Sequence, residues 1–252
     1  YVAPLRDISR AASSEDELDL SIASATEALI RAQQGDGHWC FELEADATIP
    51  AEYVLLRHFR AELEDPGLER KIGVYLRRIQ GEHGGWPLFH AGAFDMSASV
   101  KAYFALKMVG DDPDAPHMRR AREAILARGG AARSNVFTRI LLALYGEAPW
   151  RAVPTMPVEI MLLPRWFPFH LTKISYWART VIVPLLVLQA LKPVAKNPRG
   201  IRVQELFTTP PEKVRSWPKG AHQTWPWAHV FGGIDVVLKR AEPFMPRNPR
   251  KR

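Results

Sequence analysis

The sequence contains a single cysteine, Cys40, among its 252 residues. One thiol excludes a disulfide framework and any cysteine-based metal cluster within the chain, so a reducing compartment is the default expectation. Long apolar runs are also missing, since the longest covers about 12 residues, from Thr180 to Leu191, and includes Pro184. A membrane-spanning helix needs about 20 apolar residues, so we predict neither a transmembrane helix nor a signal peptide.

Strand-like alternation of apolar and polar residues is absent over any length, whereas helical periodicity recurs along the chain. Ser14 to Glu17 form a capping box before an amphipathic helix, a more apolar helix follows Pro50, and Asp65 and Pro66 start a third. Amphipathic helices therefore alternate with more apolar ones, as expected of an outer ring and an inner lining. The sequence predicts an all-α fold, an α/α barrel built from helical hairpins.

A helix-turn-helix corner with the motif Gln-x-x-x-Gly-x-Trp occurs twice. Its copies, 47 residues apart, consist of Gln33, Gly37 and Trp39, and of Gln80, Gly84 and Trp86. A helix-capping glycine is the simpler alternative, but it explains neither the matched Gln nor the matched Trp. We predict a third, degenerate copy at residues 128–130, which lacks both. Periods of 20 to 50 residues indicate an array of like units.

The net charge of +7 is concentrated in residues 192–252, which hold 13 Lys or Arg against 4 Asp or Glu. Such a segment is typical of a surface that faces nucleic acid or an anionic membrane. It has no recognisable nucleic-acid module, but it carries Trp225, Trp227 and Phe231 and ends in a basic tail. We therefore predict a membrane-surface contact and no nucleic-acid partner. A solvated basic surface, or a helix packed against another domain, are the alternatives.

Several stretches carry a resemblance to the squalene–hopene cyclases, the class II triterpene cyclases of bacteria. They are the two corners and, in family order, residues 44–53, 102–107, 136–139, 158–164 and 175–179. The resemblance implies an enzyme of two α/α barrels with the substrate cavity between them. Such an enzyme is attached to one membrane leaflet, on the cytoplasmic side, and folds squalene into pentacyclic hopene or hopanol. It implies a homodimer of the full enzyme and neither a metal nor a cofactor.

The same resemblance implies that this chain is the amino-terminal part of such an enzyme. Because the chain begins with Tyr1 and ends on a basic segment where another helix could start, we expect it to be truncated at both ends. We expect an amino-terminal arm at residues 1–13 and an incomplete α/α-barrel domain at residues 14–252. The family protonates a terminal alkene with an Asp-x-Asp-Asp motif, which is absent here, because residues 111–114 read Asp-Asp-Pro-Asp. The resemblance therefore implies that the acid lies beyond Arg252 and that this chain alone is inactive.

Two candidate substrate-binding residues follow from the resemblance. Trp177 is similar to a family tryptophan on the cavity wall, where an indole face stabilises a carbocation by about 2 kcal/mol when desolvated. Glu52 is similar to a glutamate at the polar end of the cavity that helps to position water. The alternatives are a core tryptophan and a carboxylate favoured by the helix dipole in a first turn. The corner residues are expected to be structural, with Gln tied to the start of an adjoining helix and Trp packed across it.

Three rival classes fit the sequence less well. An α/α-barrel glycosidase would use two carboxylates across a cleft, but nothing pairs Glu42, Glu44, Asp46 or Glu52 across the repeats. A zinc-dependent prenyltransferase subunit needs Asp, Cys and His ligands together, and Cys40 merely follows a corner Trp. A non-catalytic helical-repeat scaffold that holds lipid in an apolar interior is the strongest rival.

Overall fold

The computed structural model describes residues 14–41, 45–62, 65–168, 170–214 and 227–241. The chain divides into two compact units, Tyr1–Ala45 and Asp46–Arg252. Within the described ranges the elements are helices, and extended pairing is limited to an isolated antiparallel bridge between Trp86 and Asp95. The all-α prediction is confirmed. The predicted domain limits, residues 1–13 and 14–252, stay predictions.

The first unit contains α1 (Ser14–Ala32), which ends at the first corner. Gln33 Nε2 donates a hydrogen bond to Gly37 O at 2.7 Å, and Trp39 Nε1 donates one to Leu29 O at 2.6 Å. Gly37 has a φ of +90°, a conformation that glycine adopts without the steric cost of a Cβ atom. These bonds fold the indole back along the last turns of α1.

The second unit contains seven of the described α-helices. They are α2 (Thr48–Arg60), α3 (Pro66–Arg78), α4 (Met96–Val109), α5 (Pro116–Ala127), α6 (Val136–Leu144), α7 (Tyr176–Leu191) and α8 (Trp227–Ala241). Short 3₁₀ turns lie between them, at Ala131–Arg133, Trp150–Ala152, Val158–Leu162, Leu171–Lys173, Gln204–Leu206 and Pro211–Lys213. The passage between α6 and α7, whose prolines at 154, 157, 164 and 168 predict irregular structure, contains the second, third and fourth of these turns.

Side-chain caps start four helices of this unit. Asp65, Asp95, Asn135 and Ser175 each accept a hydrogen bond from the backbone N–H three residues further on. Each cap satisfies one of the four N–H groups that a helix start leaves without an intrahelical partner. A cap of this kind is worth about 1 kcal/mol, so these four positions fix where α3, α4, α6 and α7 begin.

The second corner repeats the hydrogen bonds of the first and adds others. Gln80 Nε2 donates to Gly84 O at 2.6 Å and also to His117 O, in the first turn of α5, at 2.9 Å. Trp86 Nε1 donates to Leu76 O at 2.8 Å, and its ring is completely buried. Trp39, by comparison, is 46% exposed. The second corner therefore ties α3 to α5, whereas the first makes its two bonds within its own unit.

The turn at residues 128–130 is a helix end and not a third corner. Gly130 N–H bonds to Ile125 O and Gly129 N–H to Leu126 O, the two bonds of a Schellman motif. The same pair of bonds ends α2, α4 and α6. The predicted third copy is therefore wrong, because a Schellman cap requires a left-handed residue and requires neither Gln nor Trp.

Helix α4 lies at the centre of the core. Every residue from Ser97 to Leu106 is buried, and the helix packs against α2, α3, α5 and α6. Tyr103 and Phe104 are fully covered, and burying an apolar side chain of this size contributes about 1.5–3 kcal/mol. The flanking helices α3 and α5 bury one face each, so α4 is more apolar than these two and lies inside them.

The Pro, Gly and charge content of residues 192–225 predicts a long surface connection, but the described part of this segment, residues 192–214, also packs into the core. Val203 and Leu206 are fully buried in the core cluster that surrounds α4. The backbone also docks, because Lys196 N–H bonds to Phe59 O and Asn197 N–H to His58 O at the carboxyl end of α2. The prediction of a surface connection is wrong for this stretch, since two apolar residues outweigh the polar composition around them.

Candidate functional site

Glu52 pairs with a lysine that is buried in the centre of the core. The carboxylate of Glu52, on α2, lies 2.5 Å from Lys101 Nζ, on α4. The lysine side chain is 7% exposed and the glutamate side chain 50% exposed. An ammonium removed from water needs a counter-charge, and Glu52 supplies it from the partly exposed side. Glu52 therefore has a structural partner in addition to any ligand.

The position of Glu52 within α2 differs from the expected one. We expected Pro50 to open this helix, but α2 begins at Thr48, where the side chain of Asp46 accepts hydrogen bonds from both N and Oγ1 of Thr48. Pro50 is tolerated as the third residue because first-turn N–H groups have no intrahelical acceptor. Glu52 thus lies in the second turn, so the helix-dipole explanation of this carboxylate is wrong.

A second buried cation, Arg139, lies on α6, which packs against α4. Its side chain is 2% exposed, and burial lowers the pKa of the guanidinium to about 10. Sequence reasoning assigned no role to Lys101 or Arg139. The available signal was a basic residue within a strongly apolar helix. Burying a charge there costs free energy unless the charge is paired or hydrogen-bonded.

Trp177 lies on an exposed aromatic surface. It is the second residue of α7 and is 81% exposed, next to Tyr176, which is 70% exposed. Residues of the Val158–Leu162 turn pack against α7, and Leu162 is 83% exposed. Trp166, on the same passage, is 77% exposed. We call the exposed, adjacent pair Tyr176 and Trp177 the aromatic surface. Trp177 is accordingly not a core residue of the described chain.

The two predicted substrate-binding residues are not brought together in the described part of the chain. Glu52 lies on α2 and Trp177 on α7, and no described contact joins the two side chains. Asp111, which begins the Asp-Asp-Pro-Asp segment, accepts hydrogen bonds from Arg77 Nη1 at 2.6 Å and contacts His117 Nε2 at 2.6 Å. Its two basic neighbours tie α3 to the first turn of α5, which is a structural role.

Helix α8 has a polar inner side and an apolar outer side. Asp235 is buried, and its carboxylate accepts a hydrogen bond from Thr155 N at 2.7 Å and pairs with Lys239 at 2.8 Å. The opposite side presents Val230, Ile234 and Val237, which are 46%, 41% and 63% exposed. This arrangement is the reverse of an ordinary surface helix, whose apolar side faces the core.

The residues expected at the membrane are only partly described. Phe231 is 49% exposed on α8. Trp225 lies outside the described residues, and Trp227 is the first residue of α8, with its side chain outside the description. Among the described helices, none is both long and apolar enough to cross a bilayer.

Comparison with known proteins gives a consistent result. Residues 22–252 match the family model described as the squalene-hopene cyclase N-terminal domain. The chain is 64% identical to a probable squalene–hopene cyclase of Sinorhizobium fredii, over 93% of the chain and 36% of that relative. It is 61% identical to a squalene–hopene cyclase of Bradyrhizobium diazoefficiens, over 99% of the chain and 38% of the relative.

A squalene–hopene cyclase of Zymomonas mobilis is 60% identical over 93% of the chain and 35% of the relative. The chain therefore spans between about a third and two fifths of the length of these curated relatives. The family resemblance drawn from the two corners and the five segments is confirmed.

Proposed function

Because the chain belongs to the squalene–hopene cyclase family, we propose that it forms the amino-terminal part of an enzyme that cyclises squalene to a pentacyclic hopene or hopanol. The match over residues 22–252 carries this proposal. The chemistry is an isomerisation for hopene, or addition of water for hopanol, driven by protonation of an alkene. Hereafter, the full-length enzyme means a cyclase of the relatives' length that contains this chain.

The proton donor is supplied by a part of the enzyme outside these residues. No Asp-x-Asp-Asp sequence occurs in the chain, and Asp111 is committed to Arg77 and His117. An acid that protonates an alkene must be held in its neutral form by burial or by neighbouring carboxylates. This chain alone is therefore expected to leave squalene unchanged.

The aromatic surface forms one wall of the substrate cavity. Exposed Trp177 and Tyr176 present π faces, and such faces stabilise a cation by about 2 kcal/mol or more where water is excluded. A saturated carbocation has no hydrogen-bonding group, so aromatic faces are among the few side chains that stabilise it without reacting with it. Trp177 thus acts during the cascade, and Glu52 acts at the polar end, where it orients water or the polar groups around it.

The test compares products of the full-length enzyme and its Trp177 variants. Trp177→Phe keeps a smaller π face and should retain partial activity, whereas Trp177→Ala should shift products toward incompletely closed rings. Trp86→Phe is the matched control, because its indole is buried in a corner and should affect stability alone. Unchanged product ratios in Trp177→Ala would contradict a cavity role. Squalene binding without turnover by the full-length enzyme would favour the lipid-binding scaffold.

Attachment to one membrane leaflet, on the cytoplasmic side, completes the proposal. Squalene is nearly insoluble in water, so an enzyme that consumes it takes it from lipid. The apolar outer side of α8, with Val230, Ile234 and Val237, supports a helix that lies in the interface. On the inner side, Asp235 accepts the hydrogen bond from Thr155 N that anchors this helix, and Lys239 of the same helix pairs with Asp235. A homodimer of the full-length enzyme stays a prediction.

A further inference from the structure

A cleft of about 600 Å³ opens beside the carboxyl end of α8. Lys239 of α8 forms one side, the segment after α6 with Glu147 and Arg151 forms another, and the 192–214 segment closes it with Arg202 and Glu212. Trp177 and Glu52 are not among its lining residues. The cleft is therefore separate from the proposed cavity wall, and the proposed reaction assigns nothing to it.

Cations outnumber carboxylates around the cleft. The basic lining residues are Arg151, Lys192, Arg202 and Lys239, and the acidic ones are Glu147 and Glu212. Glu147 is fully buried, accepts a hydrogen bond from Val203 N at 3.1 Å, and pairs with Arg202 Nε. Burial raises the pKa of Glu147, although Val203 N–H and Arg202 oppose this shift.

Arg151 is the cation best placed to receive a further ligand. Its side chain is exposed, and one nitrogen, Nη2, donates to the backbone carbonyl of Glu212. A guanidinium carries five N–H donors, so this single bond leaves donors available, and no carboxylate pairs with Arg151 in the described contacts. The fork geometry of an arginine matches the oxygens of a phosphate.

We propose that this cleft binds the phosphate of an anionic phospholipid headgroup, an inference that rests on the membrane attachment proposed above. The outer side of α8 lies in the acyl region, and Lys239 on its inner side lies at headgroup depth beside Arg151 and Arg202. Basic pockets next to an interfacial helix are suited to such headgroups. Headgroup binding fixes α8 at one depth, which an apolar face alone does not do.

Flotation of the full-length enzyme with vesicles tests the cleft separately from the attachment. Binding is measured on phosphatidylcholine vesicles and on vesicles that also contain phosphatidylglycerol. Arg151→Gln should reduce the gain caused by phosphatidylglycerol by about fivefold, the value of one cation near an anionic surface, and leave binding to pure phosphatidylcholine unchanged. Glu212→Gln should increase the gain, because it removes a carboxylate from the cleft.

Arg119→Gln is the matched control, because Arg119 is an exposed arginine on α5, outside the cleft. An equal loss in Arg119→Gln and Arg151→Gln would show a general charge effect and overturn the site. Binding to pure phosphatidylcholine with no gain from phosphatidylglycerol overturns the headgroup site alone. No binding to either vesicle overturns the membrane attachment and the headgroup site together.

Inorganic phosphate distinguishes a lipid headgroup from the free ion. Thermal unfolding is followed with sodium phosphate or with sodium chloride at equal ionic strength. If phosphate raises the Tm of the parent enzyme and not that of Arg151→Gln, the cleft recognises phosphate. That result together with a phosphatidylglycerol gain that depends on Arg151 supports the lipid. The same result without such a gain assigns the cleft to the free ion and overturns the lipid headgroup.

Discussion

The imidazole of His58 donates from Nε2 to Glu69 Oε1 at 3.0 Å, and neither side chain is exposed. Burial lowers the pKa of His58 below its ordinary value of 6.5, and the nearby guanidinium of Arg199 lowers it further, although Glu69 opposes both. His58 Nδ1 is buried and has no hydrogen-bond partner among the described residues. The folded chain therefore holds His58 in its neutral form.

Stability is expected to fall as the pH decreases below about 6.5. The unfolded chain protonates His58 near that pH, whereas the folded chain resists protonation until a lower pH, so the unfolded state binds more protons in this window. The contribution of His58 to the free energy of unfolding is complete above pH 6.5. It is lost progressively as the pH falls toward the lowered pKa of His58 in the folded chain. Thermal unfolding of the full-length enzyme between pH 7.5 and about 5 measures it.

His58→Gln is the control for this titration. A Gln amide can donate to Glu69 and carries no titrating group in this range. The variant should lose stability at pH 7.5 through imperfect packing, and its Tm should vary less between pH 7.5 and 5 than that of the parent. An identical pH dependence in both proteins would exclude His58 as the cause.

The two corner glycines should respond differently to substitution. Gly37 and Gly84 have φ values of +90° and +87°, so Ala costs roughly 1–2 kcal/mol at either position. A Cβ atom on Gly84 would lie 2.8 Å from Arg120 O, a backbone atom, whereas one on Gly37 would meet only Gln33 Nε2 at 3.8 Å. Gly84→Ala should therefore lower the Tm more than Gly37→Ala. Equal losses would mean that the α5 backbone moves aside without cost.

The pair of Glu52 and Lys101 permits a double-mutant cycle. Glu52→Gln leaves the ammonium of Lys101 buried without its carboxylate and should cost about 1–2 kcal/mol, less than a fully buried pair because Glu52 is half exposed. In a Lys101→Met background the same change should cost close to nothing. Chemical denaturation measures the coupling. Additive losses would show that the two charges do not interact.

The same variants separate the two roles of Glu52. If Glu52 serves only as the counter-charge of Lys101, the double variant should restore the parent's ratio of hopene to hopanol. If Glu52 orients water, the ratio should stay altered in both backgrounds. Gas chromatography of the products distinguishes these outcomes.

Replacement of Val237 and Phe231 by Ser should weaken binding to neutral vesicles by tenfold or more. Both side chains are about half or more exposed on α8, and each buried apolar side chain of this size contributes about 1.5–3 kcal/mol. Val74→Ser is the control, because Val74 is 59% exposed on α3. Equal binding by all variants in a flotation assay would move the membrane contact away from α8.

Local signals predict much of this fold. The cap at Asp65 and the bonds that Gln and Trp make within each Gln-x-x-x-Gly-x-Trp corner are readable, because the interacting groups lie within ten residues of one another in the chain. The docking of Val203 and Leu206 escaped prediction, since their partners are far away in sequence and the composition around them is polar.

In the candidate site, too, contacts between residues far apart in sequence escaped prediction. Trp177 and Glu52 follow from a motif resemblance, but the partner of Glu52 is Lys101, almost fifty residues later in the chain. Helical periodicity places a residue on a face and does not identify the side chain that meets it. The cleft beside α8 is lined by three separate segments, so no single stretch of sequence predicts it.

The burial of Val203 and Leu206 has a consequence for the order of events during synthesis. Tyr103, on α4, donates a hydrogen bond to Glu205, 102 residues later, and Leu206 belongs to the same core cluster. Contacts of such sequence separation form slowly, because a long loop must close before they contribute. A nascent chain that has emerged only as far as α6 therefore exposes the α4 side that this segment covers, and we expect chaperones to bind this apolar surface at that stage.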